Sequence, residues 1–252
     1  MLKVARLPVW VQWFCAAVAA GLAARPTVAQ VGPGDVAVVA YNADRDDFAW
    51  VALRTIPAGT VLCFTDASVS NGAFRWTEHL GDLWPGPLTW SCSSNLPAGT
   101  VVRWSVTGAT NWSVGQHSGG RPRLSADGDQ LFIYTGTIVS NAALSFPWCG
   151  DPAAARLLFG INFANDGWDN RAGGEPTTSF VPPGLAVENG TAVHVDRRDN
   201  GWYNGPLRGT PAELLRAIAN PAHWITADEP FDQSVWPTAL LVLSEGTWWG
   251  LW

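Results

Sequence analysis

Short apolar stretches, four to six residues long, recur along the chain and are separated by clusters of Gly, Pro, Asn and Asp. Six of them are rich in β-branched and aromatic residues: Val36–Val39, Phe48–Leu53, Thr60–Thr65, Leu88–Cys92, Val101–Val106 and Gln130–Tyr134. Such stretches between turn residues are typical of antiparallel strands, whereas βαβ units need helical stretches between the strands. The pattern therefore predicts an all-β fold, an antiparallel sandwich or barrel.

Two kinds of turn signal support this prediction. Asn-Gly pairs at Asn71, Asn189, Asn200 and Asn204 are typical of tight turns, because both residue types tolerate positive φ angles. The sequence Ile-Pro-Ala-Gly-Thr-Val at 56–61 also recurs as Leu-Pro-Ala-Gly-Thr-Val at 96–101. Two copies are too few for a repeat protein, so we interpret them as equivalent turns that lead into two strands of one sandwich.

One short helix is predicted near the C-terminus, at about 211–219. Thr210 and Glu213 have the spacing of a capping box, with Pro at the first helical position, and a following Asn-Pro pair ends the helix. Leu214 and Ile218 fall on one face. Because so short a helix is not stable alone, this face should pack on the sandwich.

The N-terminus has the pattern of a secretory signal peptide at 1–29. Lys3 and Arg6 precede an apolar stretch at Val9–Ala24, and small residues follow at the two positions that signal peptidase inspects. This stretch is shorter than the roughly 20 residues of a spanning helix, which favours cleavage over a retained anchor. We therefore expect a protein without a transmembrane span after cleavage, either extracellular or on the cell surface, with the periplasm as the alternative.

The remaining chain is predicted to form one β-sandwich domain at 30–234, followed by a C-terminal strand and a Trp-rich tail at 235–252. Trp248, Trp249 and Trp252 in this tail would form an exposed apolar patch unless a partner covers them. Trp168 and Trp202 lie in polar stretches and are candidates for stacking against a ligand. Three further tryptophans, Trp50, Trp90 and Trp104, fall within the strand stretches and are predicted to be core.

Charge excludes one class of partner. Without residues 1–29 the chain holds 12 Arg, no Lys and 21 acidic residues, a net charge of −9. Nucleic acids and anionic membranes require clustered positive charge, and the sequence offers none. We therefore expect an extracellular protein or glycan as the partner, and no nucleic acid.

Export would permit two covalent modifications. Cys63 lies inside an apolar stretch, whereas Cys92 and Cys149 lie at predicted strand ends and are the candidate disulfide. The alternative is three buried free thiols. Asn111 and Asn189 begin glycosylation sequons, which matter only in a host that glycosylates them.

Acidic loops are the candidate metal sites. Three clusters supply carboxylates in polar stretches: Asp44, Asp46 and Asp47; Asp127 and Asp129; Asp166 and Asp169. Carboxylate oxygens on loops suit Ca²⁺, the one cofactor that the sequence suggests. None of the clusters fits an EF-hand, and solvated turns are the alternative, because Asp favours turns for backbone reasons.

Several short motifs follow one another along the chain: Gly34–Ala37, Asp47–Leu53, Ile56–Thr60, Phe64–Asp66, Leu124–Leu131, Tyr203–Pro206 and Thr210–Asn220 with Trp224. Together they resemble a domain family of secreted bacterial proteins of unassigned function. Their order is similar to that of lamin-tail-type sandwiches, where a Pro-Ala-Gly-Thr turn precedes a strand and a Ser-x-x-Gly-Asp turn comes later. The resemblance implies an immunoglobulin-like sandwich outside the cytoplasm, with no agreed activity or catalytic residues.

Two function classes follow. The sequence contains no HExxH, GxSxG, P-loop or GxGxxG motif, and no residue is predicted to be catalytic. This favours a secreted, non-catalytic module that binds a surface, a matrix or a partner and that calcium would stabilise. The alternative is a secreted hydrolase of polysaccharides or esters that uses carboxylates such as Asp166 and Asp169.

Overall fold

Two β-sheets pack against each other in the computed structural model of the protein, which describes residues 30–76, 87–107, 111–144, 146–164, 167–168, 179–229 and 232–244. Strands account for 42% of the structure and helices for 8%, which confirms the predicted all-β sandwich with one short helix. The predicted signal peptide and the tryptophans at 248, 249 and 252 lie outside the described residues. The described part contains no helix with the length and apolar character to cross a membrane.

The described strands number fifteen. In chain order they are β1 (Val36–Asn42), β2 (Asp47–Ala52), β3 (Val61–Thr65), β4 (Val69–Ser70), β5 (Ala73–Phe74), β6 (Leu88–Ser91), β7 (Val101–Trp104), β8 (Gln116–Ser118), β9 (Gln130–Ser140), β10 (Gly150–Asn162), β11 (Ala192–His194), β12 (Asn200–Tyr203), β13 (Arg208–Gly209), β14 (Trp224–Ala227) and β15 (Leu241–Val242). Helix α1 spans Pro211–Ile218, and single 3₁₀ turns span Pro221–His223 and Gln233–Val235.

The first sheet has the order β14-β12-β1-β2-β7 and is antiparallel throughout. The second has the order β4-β5-β10-β9-β3-β6-β8, and β11 pairs with β10 in parallel. A separate parallel pair joins β13 to β15. The residues from β1 to β15 thus form two large sheets with a small pair beside them.

Aromatic side chains fill the space between the sheets. Phe48 and Trp50 on β2 face the second sheet, where their rings contact Phe64 at 5.2 and 6.2 Å between centroids. Trp50 also meets Trp90 edge-on at 5.0 Å. The predicted core role of Trp50, Trp90 and Trp104 is confirmed, since each is at most 3% exposed. Offset and edge-on contacts of this kind contribute about 0.5–1.5 kcal/mol per pair beyond burial alone.

The outer face of the first sheet is covered as well. Every residue of β1 and β2 is buried, which requires cover on both faces. The segment 232–244 provides part of it, and Arg103 on β7 holds this segment by donating hydrogen bonds to the carbonyl oxygens of Gln233, Trp236 and Pro237. Trp236 and Leu240 join the core, so residues on both sides of the boundary predicted at 234 contribute to one core.

Helix α1 also packs on the sandwich and confirms its prediction. The Thr210 hydroxyl accepts a hydrogen bond from the Glu213 N–H, and the Glu213 carboxylate accepts one from the Thr210 N–H, which completes the capping box. Leu214 and Ile218 are buried in the main core. The apolar stripe of the helix therefore packs on the sandwich.

A second, smaller core lies on the opposite face of the larger sheet. Leu131 and Ile133 on β9 face the sandwich interior, whereas the alternate residues Phe132 and Tyr134 face outward into this second cluster. Residues between 179 and 192 cover it. Because both faces of β9 are buried from Gln130 to Tyr134, residues 131–134 form a continuous apolar run rather than an alternating one.

The longest strand was not predicted. Strand β10 follows a hairpin from β9, and its first half reads Gly-Asp-Pro-Ala-Ala-Ala-Arg, which has neither β-branched residues nor alternation. A register shift between Asp151 and Ala154 accommodates Pro152, which cannot donate to a ladder. Pairing with β9 thus makes a strand of residues with low strand propensity.

The two Pro-Ala-Gly-Thr turns are equivalent, as predicted, and also pair with each other. Ile56 and Leu96 exchange two backbone hydrogen bonds of 2.9 Å. One turn leads into β3 of the larger sheet and the other into β7 of the smaller sheet. This bridge therefore joins the two sheets at one edge of the sandwich.

These turns allow a matched test of tertiary packing. Gly59 and Gly99 both have positive φ, at 79° and 87°, but a Cβ on Gly59 would meet nothing within 4 Å, whereas one on Gly99 would lie 2.0 Å from the Leu240 carbonyl oxygen. We expect Gly59→Ala to lower the free energy of unfolding by about 1–2 kcal/mol, the cost of a left-handed residue. Gly99→Ala should lower it by about 1–3 kcal/mol more, because backbone must shift. Urea unfolding measures both free energies. Equal losses in the two variants would contradict the close packing of Gly99 against Leu240.

Candidate functional site

Three acidic loops meet at one end of the first sheet. They are the β1–β2 turn, the residues that precede β12 and the residues that follow β14. Their meeting follows from the register, because Asn42 lies opposite both Asp47 and Asn200, and Asn200 lies opposite Ala227. A backbone hydrogen bond of 2.7 Å from Ala43 to Asp199 joins two of the loops directly. We call residues 42–47, 195–200 and 227–229 the acidic end.

A row of buried polar side chains crosses the sheet at this end. Asn200, Asn42 and Asp47 occupy adjacent positions on three neighbouring strands and are 0%, 1% and 1% exposed. Tyr41 stacks on Phe163 at 4.1 Å in the sandwich interior, and successive side chains of a strand alternate between faces. The row therefore points to the outer face, toward the chain that follows β14.

The three members of the row differ in their partners. Asp47 is satisfied, because its carboxylate accepts hydrogen bonds from the Val106 N–H at 2.9 Å and from Gln233 Nε2 at 2.5 Å. The side-chain oxygens of Asn42 and Asn200 are buried and have no hydrogen-bond partner among the described residues. A buried acceptor without a partner costs about 1–3 kcal/mol.

Asn200 Nδ2, in contrast, faces several acceptors. It donates to Asp44 Oδ2 at 2.8 Å and lies 3.4 and 3.3 Å from the carbonyl oxygens of Asp228 and Glu229. One end of this amide thus meets three oxygens, while its other end meets no hydrogen-bond donor among the described residues.

Negative charge accumulates around this amide. Burial, followed by the charges of Asp44 and Asp228, raises the pKa of the Asp199 carboxyl above its ordinary value. Two arginines offset part of the charge, since Arg198 pairs with Asp228 at 3.6 Å and Arg197 pairs with Asp127 at 3.2 Å. The direction of the Asp199 shift shows that burial and repulsion from neighbouring acids outweigh this offset.

The other predicted metal ligands hold loops. Asp46 accepts a hydrogen bond from the Leu124 N–H, and burial raises the pKa of its carboxyl. Asp129 accepts from the N–H groups of Ser125 and Gln130. Among the described residues no three His, Cys, Asp or Glu side chains are grouped as metal ligands, and Asp166 and Asp169 lie outside these residues. The calcium prediction therefore stays a prediction.

The sequence pattern identified Asp44 as a candidate ligand, but it did not identify Asn200, Asp199 and Asp228, which lie beside Asp44 in the structure. Asn200-Gly201 was predicted to be a turn, and this is wrong, because both residues lie in β12. The glycine is needed there for a close approach, since a Cβ would lie 2.6 Å from the Tyr41 ring. Asp199 and Asp228 are more than 150 residues from Asp44, and neither β12 nor β14 was predicted as a strand, so no signal in the sequence indicated the contact.

The two candidate stacking tryptophans lie in different places. Trp168 packs on Phe132 at 5.9 Å in the second core. Trp202 follows Asn200 by two residues, so it lies on the same outer face, half-buried and opposite Ile225, which is 40% exposed. Of the two, Trp202 neighbours the acidic end.

The predicted disulfide is wrong, because Cys63, Cys92 and Cys149 are all free thiols. Cys149 precedes β10 and Cys92 follows β6, with β9 and β3 between those strands. At about 4.8 Å between neighbouring strands the two cysteines are roughly 14 Å apart, beyond the 7 Å limit between the Cα atoms of a disulfide. The alternative of free thiols holds, and Cys63 lies in the second core as a buried residue.

Alkylation tests this assignment. In denaturant without reductant, Cys63, Cys92 and Cys149 should each take up one iodoacetamide, as counted by mass spectrometry. In the folded protein at pH 8 the half-buried Cys92 should react first, because burial raises the pKa of the Cys63 thiol to about 11 and leaves about a thousandth of it as thiolate. A denatured protein that takes up one label only would contradict the free-thiol assignment.

We compared the chain with known protein families, curated proteins and solved structures. No protein-family model, curated protein or solved structure matches this chain. The likeness to lamin-tail-type sandwiches therefore stays a prediction, and the acidic end itself supplies the evidence on function.

Proposed function

We propose that this chain is a secreted, non-catalytic binding module that engages an extracellular glycan at its acidic end, with a divalent cation, calcium, between the loops and the ligand. The observation that carries the proposal is the convergence of Asp44, Asp199 and Asp228 from three separate loops at the rim of one sheet. Binding residues commonly lie on loops that a rigid scaffold positions. Here the scaffold is a sheet whose strands β1 and β2 are buried on both faces.

The charge of this end supports a cation. Asp44 and Asp228 are exposed carboxylates, and the raised pKa of Asp199 reflects burial and repulsion from both of them. A divalent cation would relieve that repulsion, and Ca²⁺ accepts the carboxylate and carbonyl oxygens that these loops present. It would also allow an acidic module to approach an anionic glycan, which the module would otherwise repel.

Trp202 supports a glycan as the ligand. Its half-buried ring lies beside the acidic end, on the face that also exposes Ile225. A flat aromatic surface next to polar oxygens is the arrangement with which proteins stack sugar rings while holding their hydroxyl groups. The loops would thus hold the charged groups of a sugar, and Trp202 would contact its apolar face.

Retention on beads tests the proposal. Polygalacturonate beads should retain the protein in millimolar Ca²⁺ and release it in chelator, while beads of the methyl ester, which lacks the carboxylates, should retain it less. Asp44→Asn with Asp228→Asn should weaken retention about tenfold, if each carboxylate contributes about 0.7 kcal/mol. Glu188→Gln with Asp151→Asn removes the same charge elsewhere on the surface and should leave retention unchanged.

Three results would contradict the proposal. An equal loss of retention in the two double variants would mean that retention depends only on the net charge of the protein. Retention on collagen beads alone would point to a protein partner. Release of soluble sugar from the beads would favour the hydrolase, whose candidate carboxylates are Asp166 and Asp169.

A further inference from the structure

The side-chain amide of Asn200 has two N–H donors and faces three oxygen atoms. Its Nδ2 lies within 3.4 Å of three oxygens, namely Asp44 Oδ2 and the main-chain carbonyls of Asp228 and Glu229. The two carbonyl contacts, at 3.4 and 3.3 Å, are longer than good N–H···O hydrogen bonds, which span about 2.7–3.2 Å. Three oxygens thus converge on one point from two loops, and a single amide nitrogen satisfies them poorly.

A second, independent observation comes from Asn42. This side chain is 1% exposed, its Oδ1 has no partner among the described residues, and its position opposite Asn200 places both side chains on the same face. Asn200 Oδ1 is buried without a partner as well. Two buried amide oxygens without partners among the described residues therefore lie on the same face of the sheet, one of them in the amide whose Nδ2 the three oxygens surround.

We propose that this point is a calcium site, formed by Asp44, the carbonyl oxygens of Asp228 and Glu229, and the side-chain oxygens of Asn200 and Asn42. The Asn200 amide turns over when the ion binds, so that Oδ1 replaces Nδ2 among the oxygens. The inference rests on the proposed function and deepens it, because it names the cation and the residues that hold it.

The donor set selects calcium over other metals. All five groups are oxygens, and main-chain and amide carbonyls are ordinary ligands of Ca²⁺, which takes six to eight oxygens in flexible geometry. Mg²⁺ demands a compact octahedron and keeps its waters, and Zn²⁺ prefers nitrogen and sulfur. Only one of the five groups is a carboxylate, with those of Asp199 and Asp228 nearby, which is why grouping acidic residues along the sequence does not find the site.

The ion would also have a structural effect. Asp44 belongs to the β1–β2 turn, while Asp228 and Glu229 follow β14, on the far side of β12. One ion bound to all of them would fix the two loops relative to Asn200. Calcium would therefore order the acidic end before a glycan binds, and it would stabilise the folded state by linkage.

The test uses the protein alone, with thermal unfolding and Trp-sensitised Tb³⁺ luminescence as readouts. Ca²⁺ at about a hundred times its dissociation constant should raise the melting temperature by several degrees, and Mg²⁺ should raise it less. Asp44→Asn should weaken Ca²⁺ binding at least tenfold, while Glu188→Gln should leave it unchanged. Luminescence should be quenched on addition of Ca²⁺.

Asn200→Asp distinguishes a ligand from a merely structural residue. Without calcium this variant should melt below the original protein, because it loses the amide donor and adds a carboxylate beside Asp44. With calcium its melting temperature should rise by more than that of the original protein, since a carboxylate is a better ligand than an amide. If Asn200 had only a structural role, the variant would melt at a lower temperature without calcium, and calcium would not raise its melting temperature by more than that of the original protein.

The outcomes separate this inference from the proposed function. If Asn200→Asp and Asp44→Asn show the same calcium shift as the original protein, or if that protein shows none, the site is wrong. Calcium-dependent retention on polygalacturonate would then still support the binding module, with its cation held elsewhere in the loops. A calcium shift that depends on Asn200, without any retention on glycan beads, would support the site and overturn the module.

Discussion

The burial of β1 and β2 on both faces is the constraint on which the rest of the structure depends. On the inner side, Phe48 and Trp50 interlock with the aromatic residues of the larger sheet. On the outer side, the segment 232–244 covers the sheet, and Arg103 donates hydrogen bonds to three carbonyl oxygens of this segment. A sheet enclosed in this way has little freedom to shift its strands, because each register change would place apolar residues against the wrong layer.

That enclosure explains the character of the acidic end. The buried rows of the sheet are apolar until the last position, where Asn200, Asn42 and Asp47 stand side by side. Of these three side chains, Asp47 is the one whose oxygens all accept hydrogen bonds from described residues, namely from Val106 and Gln233. Within the part of the chain that the structure describes, two amide oxygens remain without partners, in a region where each such oxygen costs free energy. The rigidity of the sheet fixes where these groups point.

Asp and Asn side chains have two different roles at this end. Asp46 and Asp129 accept hydrogen bonds from backbone N–H groups and so fix the shape of their loops. Asp44, Asp199 and Asp228 instead lie close enough to repel one another. The sequence shows all five as acidic residues in polar stretches, and the two roles separate only when the neighbours of each carboxylate are known. Arginines limit the repulsion without removing it, which leaves this end suited to a cation.

The sequence by itself determined the elements that depend on local chemistry. Helix α1 follows from its capping box, and strands such as β1, β2 and β3 follow from β-branched and aromatic runs between turns, because these signals act over a few residues. Tertiary structure decided what depends on distant neighbours. Strand β10 exists through pairing with β9 despite its Ala-rich sequence, and Cys92 and Cys149 are kept apart by two intervening strands. Asn200 meets Asp44 across 156 positions only because β12 pairs with β1. The composition shows that acidic residues are abundant, but the register of the strands in the first sheet determined which of these residues meet.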